Sequence, residues 1–395
     1  MFFHINKFLT QTLAVTTLLC TATLASPSLQ HKLALELETE LTNTSSTTNT
    51  TPIPAPAPTF TPQRTNSTLY TLCRNSDLYD LLDTIINYET RFNSKFHYDW
   101  VFLNDQPFDD NFKLLVSNAV SGTAKFGQIS ESVWSTPESV DMELMESNIE
   151  KVMNDPDGAY PYADSKSYRN MCRFESGNFQ WHELLMQYDY FWRVEPGVKL
   201  HCDINYDIFN DLIDNQVDYA FTISMLEYEK TIPSLFKSLV KSLKKLNMMD
   251  LLTSENNYSQ FVLDSNKYDY NLCHFWTNFE IGNLNVFRSE EYNALFKELD
   301  AYNGFYYERW GDAPIRTLIL SLILEHPRIQ RLKNIGYQHD PYLQCPQDLN
   351  MRVENRCSCD VDLDITYKFF SCSWYFDHLV EELEKRQLID FSPTA

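Results

Sequence analysis

Three stretches of the sequence predict an α/β fold, a sheet flanked by helices. Residues 70–75 read as a strand, Ser76-Asp77-Leu78 as a helix start leading into Leu81, Leu82, Ile85 and Ile86 at helical spacing, and residues 98–103 as a second strand. The run from Tyr188 is rich in aromatic and β-branched side chains and should end near Glu195, because Pro196 cannot donate to a sheet ladder. After Asp207 the pattern is helix, then a strand over residues 218–224, then an amphipathic helix over residues 234–252.

Composition bounds what such a fold can do. With 26 Phe, 23 Tyr and 7 Trp in 395 residues, there is material for a large core in one elaborate domain or two smaller ones. The formal net charge is −22, from 54 acids against 32 bases, and it would repel a phosphate backbone, which argues against a nucleic-acid partner.

From the start of the chain, residues 1–7 are a short polar tail and residues 8–25 an uncharged run that fits a retained signal-anchor or a cleaved signal. Residues 26–68 are rich in Ser, Thr and Pro and read as an extended stem. Residues 69–395 are the folded domain. Glycosylation sequons begin at Asn43, Asn49, Asn66 and Asn257, in keeping with a luminal chain. Of nine cysteines, Cys20 lies in the leader. The other eight are expected to form disulfides in an oxidising compartment, with Cys345, Cys357, Cys359 and Cys372 stapling the C-terminal part.

Candidate chemistry falls along the folded part in order. Arg74 closes the first strand, where it is either a nucleotide contact or a surface ion-pair partner. Tyr168, Arg169 and Arg173 precede a Gly-containing turn. The two arginines would supply donors for a diphosphate, or else form a solvated helix face with one pairing Glu175. Glu195, at the carboxyl end of a strand, suits a divalent metal carrying a phosphate, the alternative being a surface acid beside a turn. Lys237, Lys241, Lys244 and Lys245 are a solvated face opposite Leu235, Leu239 and Leu243. Glu280 and Asp312 lie among aromatic residues, where a carboxylate can stabilise an oxocarbenium-like centre or be a satisfied core group. His339 sits in a turn and would complete a metal site only if paired with Glu195.

The strings Tyr-Arg-Asn-Met-Cys-Arg-Phe (168–174), Trp-Arg-Val-Glu-Pro (192–196), Tyr-Asn-Leu-Cys-His-Phe-Trp-Thr-Asn-Phe-Glu-Ile (270–281) and Tyr-Glu-Arg-Trp-Gly-Asp-Ala-Pro (307–314) resemble the fungal α-1,2-mannosyltransferases of glycosyltransferase family 15. The resemblance implies a GT-A-type fold with a mixed central sheet and a retaining, manganese-dependent transferase. The donor would be GDP-mannose and the acceptors mannose-terminated N- or O-linked glycans. It also implies a Golgi type II membrane protein with a luminal catalytic domain. Carried onto this chain, Glu195 and His339 would ligate Mn²⁺ and Glu280 would lie beneath the anomeric carbon as nucleophile or cation stabiliser. Asp312 would hold the acceptor, Tyr168 would sit beside donor and acceptor, and Arg74 would belong to the nucleotide pocket.

Three departures stand against the pattern: Gly197 after Glu-Pro, which would loosen the metal loop; Asp340 in place of a proline; and a more polar Asn178-Phe179-Gln180, which would bear on acceptor choice. The competing reading is a catalytically weak scaffold or glycan-binding subunit of a mannosyltransferase assembly.

Overall fold

A computed structural model describes residues 64–390 apart from 265, 267 and 268. The tail, the leader and most of the stem read from the sequence lie outside the described residues. Strand β1 (Ser67–Leu72) begins inside the stretch read as stem.

The core of the fold is a seven-stranded sheet. Its strands are β1, β2 (Asp99–Asn104), β3 (Ala124–Gln128), β4 (Tyr190–Val194), β6 (Tyr219–Phe221), β9 (Phe279–Asn283) and β10 (Ile329–Arg331), in the order β10-β6-β9-β4-β1-β2-β3. Neighbouring pairs are parallel except where β9 meets β4 and β6, so the sheet is mixed and β9 alone runs against the rest. Central strands such as Tyr-Phe-Trp-Arg-Val are almost unbroken in apolar character because helices cover both faces.

On one face Leu69, Trp100, Trp192 and Ile281 pack against α1 (Leu78–Arg91) and α2 (Asp110–Ala119), through Leu81, Ile85, Phe112 and Val116. The other face carries Tyr70, Phe191, Tyr219 and Phe221. It shares a core with α4 (Lys166–Gly177), α6 (Leu235–Leu246), α7 (Glu290–Asp300) and α8 (Asp312–Ile323). The chain also forms helices α3 (Met142–Met153), α5 (Ile208–Asp214) and α9 (Ser373–Asp390). A small sheet joins β5 (Lys199–Leu200), β11 (Tyr337–His339) and β12 (Tyr342–Leu343), and β7 (Ser224–Leu226) pairs with β8 (Cys273–Phe275).

Two expected elements are divided. The strand over 218–224 becomes β6 and β7, because the chain leaves the main sheet at Thr222 to pair with β8. The helix over 234–252 ends at Leu246, where Asn247 adopts a left-handed conformation (φ 57°) and donates its N–H to the last carbonyls. Lys237, Lys241, Lys244 and Lys245 are exposed, as a solvated face requires.

Three disulfides form among the described residues, Cys202–Cys357, Cys273–Cys372 and Cys345–Cys359. All four C-terminal cysteines are bonded, but Cys73 and Cys172 correct the expectation of complete pairing. Both are buried free thiols, at the end of β1 and inside α4. Burial raises both thiol pKa values, so neither is a thiolate at neutral pH.

The sequon at Asn257 is closed by folding. Asn257 is 1% exposed and its amide donates to the Leu251 and Leu322 carbonyls. A glycan there would cost both bonds and the burial. Peptide mapping of folded protein is therefore expected to find Asn257 unmodified; a glycopeptide containing it would contradict the packing.

Candidate active site

A cleft of about 280 Å³ opens at the carboxyl ends of β1, β2 and β4. Strand order reverses here, with β2 on one side of β1 and β4 on the other, the crevice where open α/β sheets bind ligands. Arg74 and Asp77 follow β1, Asn104 and Asp105 end β2, and Glu195-Pro196 ends β4. Tyr168 and Met171 face the cleft from α4.

The Glu195-Pro196-Gly197 turn is built rather than loose. Proline suits its first corner and Gly197 (φ +87°) its second, a backbone region that other residues adopt only with strain. The Gly197 N–H also donates to Thr84 Oγ1 at 2.9 Å. The expected loosening by Gly197 is thus not found.

Glu195 faces His339 at the end of β11, with Oε2 3.7 Å from Nε2. His339 Nδ1 lies 3.1 Å from the Asp340 carbonyl, which suits an Nδ1–H donor and would leave Nε2 for a cation when one is bound. The gap is too long for a good hydrogen bond, yet one cation could touch both atoms through two bonds of about 2.1 Å. Among the described residues no third His, Cys, Asp or Glu joins them. The donor set therefore fits a hard or borderline divalent ion whose other positions are filled by oxygens that a substrate brings.

Beneath this pair lies a buried charge cluster centred on Arg193, which is 4% exposed on β4. Arg193 donates to Glu195 Oε1 and Asp312 Oδ2, both at 2.7 Å, and lies 3.6 Å from Glu280 Oε1 and 3.9 Å from Glu175 Oε2. Cross-strand register explains the meeting, since Arg193 pairs directly with Glu280 on β9 and Tyr70 on β1. Glu280 is 0% exposed, ion-paired with Arg316 of α8, and accepts from Tyr219 Oη at 3.0 Å. Asp312, in the first turn of α8, also accepts from Thr277 Oγ1 at 2.8 Å.

The acids differ in ionisation. Burial would raise the Asp312 and Glu195 carboxyls, but Arg193 outweighs it and holds both below the ordinary range. Burial dominates at Glu280, whose pKa is raised despite Arg316 and Arg193. At Glu175, burial pushes the carboxyl up to about 7, and its Oε2 has no hydrogen-bond partner.

A raised folded-state pKa means that the native state holds its proton longer than the unfolded chain, so Glu175 destabilises the fold as pH rises from about 4.5 to about 7. Glu175→Gln is expected to flatten that part of the pH–Tm curve and raise Tm near neutrality. An unchanged slope in a thermal melt series would contradict it.

Tyr168 lines the cleft, stacks on Tyr162 with ring centroids 4.6 Å apart and accepts from Arg309 at 3.1 Å. Arg74 lines it too, donating to Ser167 Oγ at 2.7 Å. The structure does not bring Arg169 and Arg173 there. Four residues apart, they share the helix face that Tyr168 and Met171 leave. Arg169 is 2% exposed and bonds the Ser165 and Glu308 carbonyls, and Arg173 grips Asp300 of α7 with two bonds of 2.8 and 2.9 Å. Both guanidiniums are spent on packing.

Nor does the structure bring the Asn178-Phe179-Gln180 stretch to the cleft. Phe179 stacks under Tyr70 and Gln180 donates to the Gly177 and Phe287 carbonyls in the core. Asp340 is exposed and accepts from Gln338 at 2.6 Å. Sequence reasoning passed over Arg193 and Arg316 as site residues. Arg193 is a single charge in an otherwise apolar strand and Arg316 the one base of a largely apolar helix, a signal that buried acids must meet them.

The chain is similar to several known proteins. A family model described as glycolipid 2-alpha-mannosyltransferase matches residues 26–380. The alpha-1,2 mannosyltransferase KTR1 of Saccharomyces cerevisiae is 48% identical over 317 residues, 80% of this chain and 79% of that protein. Glycolipid 2-alpha-mannosyltransferase 1 of Candida albicans is 47% identical over 310 residues, 78% of this chain and 70% of that protein. Among solved structures, the mannosyltransferase Ktr4p of S. cerevisiae in complex with GDP is similar with a TM-score of 0.75 at 34% identity, covering 81% of this chain and 84% of that one. Core-mannan synthase A of Aspergillus fumigatus in its Mn/GDP form has a TM-score of 0.72 at 35% identity, covering 80% and 86%. The fold is of the GT-A glycosyltransferase type.

Proposed function

Because this chain belongs to the glycolipid 2-alpha-mannosyltransferase family, a family of glycosyltransferases, we propose that it transfers mannose from GDP-mannose to mannose-terminated N- or O-linked glycans in α-1,2 linkage, with retention and with Mn²⁺. The observation that carries this reading is the convergence of Glu195 and His339, far apart in sequence, to 3.7 Å at the mouth of a cleft lined by Arg74 and Tyr168. We further propose a Golgi type II membrane protein, on the strength of the uncharged run 8–25 and the stem after it.

Glu195 and His339 would hold the cation, which when bound neutralises the departing diphosphate. Arg74, on the nucleotide side, supplies a positive charge to the donor. Arg193 keeps the Glu195 carboxylate ionised and aimed, with Oε1 occupied and Oε2 free for the cation. Asp312, also ionised, stands ready to accept a hydroxyl from the acceptor sugar. Glu280 sits behind Arg193, ion-paired and hydrogen-bonded, which favours same-face attack within an ion pair over a covalent mannosyl-Glu280.

The test is transfer from GDP-mannose to α-methyl mannoside with manganese, the product linkage read by NMR. An α-1,2-linked dimannoside that disappears with a chelator supports the reading. Folded protein that binds GDP yet makes no product from this or longer mannosides overturns it in favour of a scaffold.

A further inference from the structure

An unbroken series of aromatic rings leads from His339 to open solvent. Trp276 packs on His339 with ring centroids 5.0 Å apart, Tyr342 on Trp276 at 5.4 Å, Phe370 on Tyr342 at 5.3 Å, and Phe369 on Phe370 at 5.3 Å. Trp276, Tyr342 and Phe370 are half-buried, and Phe369, at the outer end, is 94% exposed.

The segment that carries the outer rings is held firmly. Phe370 accepts the Leu226 N–H at 2.9 Å, Ser371 bonds back to Lys368, and Cys372 is bound to Cys273. A phenylalanine held in water beside bonded neighbours, at the end of a series of rings that begins at the His339 facing Glu195, marks a surface built to be covered.

We propose that these rings are the track for the inner mannose residues of an extended acceptor, a binding surface that reaches beyond the sugar receiving the new bond. The proposal rests on the mannosyl-transfer reading above.

Position and chemistry both favour a neutral glycan. On the proposed reading the nucleotide lies with Arg74, over β1 and β2, whereas Trp276 leads into β9, on the other side of β4. The rings therefore extend on the side opposite the donor nucleotide. Pyranose rings present C–H faces that settle on aromatic rings, while their hydroxyls need acceptors at the edge. Exposed Asp340, in the turn between His339 and Tyr342, offers one. An anionic lipid surface would meet a chain of net charge −22.

Full-length protein in detergent would be assayed with GDP-mannose and manganese against α-methyl mannoside and a linear mannotriose, as wild type, Phe369→Ala and Phe369→Trp. The expected result is a KM for mannotriose several-fold below that for α-methyl mannoside. Phe369→Ala should remove at least threefold of that advantage with little change in kcat, and Phe369→Trp should keep it. KM values that move together for both acceptors, or do not move, overturn the proposal. So does Phe369-dependent cosedimentation with neutral phosphatidylcholine vesicles, which would assign the rings to a membrane. If no transfer is seen at all, the mannosyl-transfer reading fails on its own. The track is then decided by saturation-transfer NMR of mannotriose, where loss of signal in Phe369→Ala supports it and equal signals overturn it.

Discussion

Glu195→Ala is expected to lower kcat/KM on the order of 10³-fold while shifting Tm by no more than a few degrees. The two halves of that result have separate causes. On the proposed reading Glu195 would supply one of the two protein ligands for a cation, with Oε2, which faces His339, as the atom it offers. Without it the leaving diphosphate loses its fixed counter-charge, a loss of about 4 kcal/mol in the transition state for that factor. Stability is nearly untouched because the side chain is 28% exposed and its partner Arg193 keeps Asp312 at 2.7 Å and Glu280 at 3.6 Å. GDP titrations with and without manganese provide the check: wild-type affinity should respond to the metal, and the variant's should not. A variant with intact metal-linked GDP binding would remove Glu195 from the ligand set.

How far the sequence reaches is visible in these residues. The position of Glu195 at a strand's carboxyl end was readable because a proline follows it and cannot extend the ladder. The α/β class, the first strand-helix-strand unit and the solvated lysine face were readable from periodicity. What periodicity cannot carry is long-range register. That Arg193 lies opposite Glu280 follows from β9 inserting antiparallel between β4 and β6, and no local pattern specifies that order. The same limit governs His339, brought to Glu195 only by a small separate sheet. Arg169 and Arg173 failed for a related reason. Their spacing told that they share a helix face, but not that the face turns from the cleft toward Asp300 and the Glu308 carbonyl.

For Glu280→Gln the expected result is the reverse of that for Glu195: a Tm lowered by several degrees, with activity reduced but not abolished and no mannosyl adduct on the wild-type residue. Glu280 is 0% exposed, its oxygens engage Arg316 and Tyr219, and the Arg193 guanidinium lies between it and Glu195. A nucleophile needs a free oxygen at bonding distance from the anomeric carbon, and here both oxygens are occupied. Glutamine keeps the shape and an acceptor for Tyr219 but strips Arg316 of its counter-charge. Leaving a buried charge unpaired costs about 3–5 kcal/mol. Arg193 also loses one of the carboxylates that hold it, so Asp312 and Glu195 are aimed less firmly, and kcat should fall with KM for GDP-mannose little changed. Thermal melts, steady-state kinetics and mass spectrometry of protein trapped with donor separate the cases. A Tm equal to wild type with activity lost more than about 10⁴-fold, or a covalent mannosyl-peptide containing Glu280, would show that the carboxylate leaves its pairs and attacks, and would make the mechanism a double displacement.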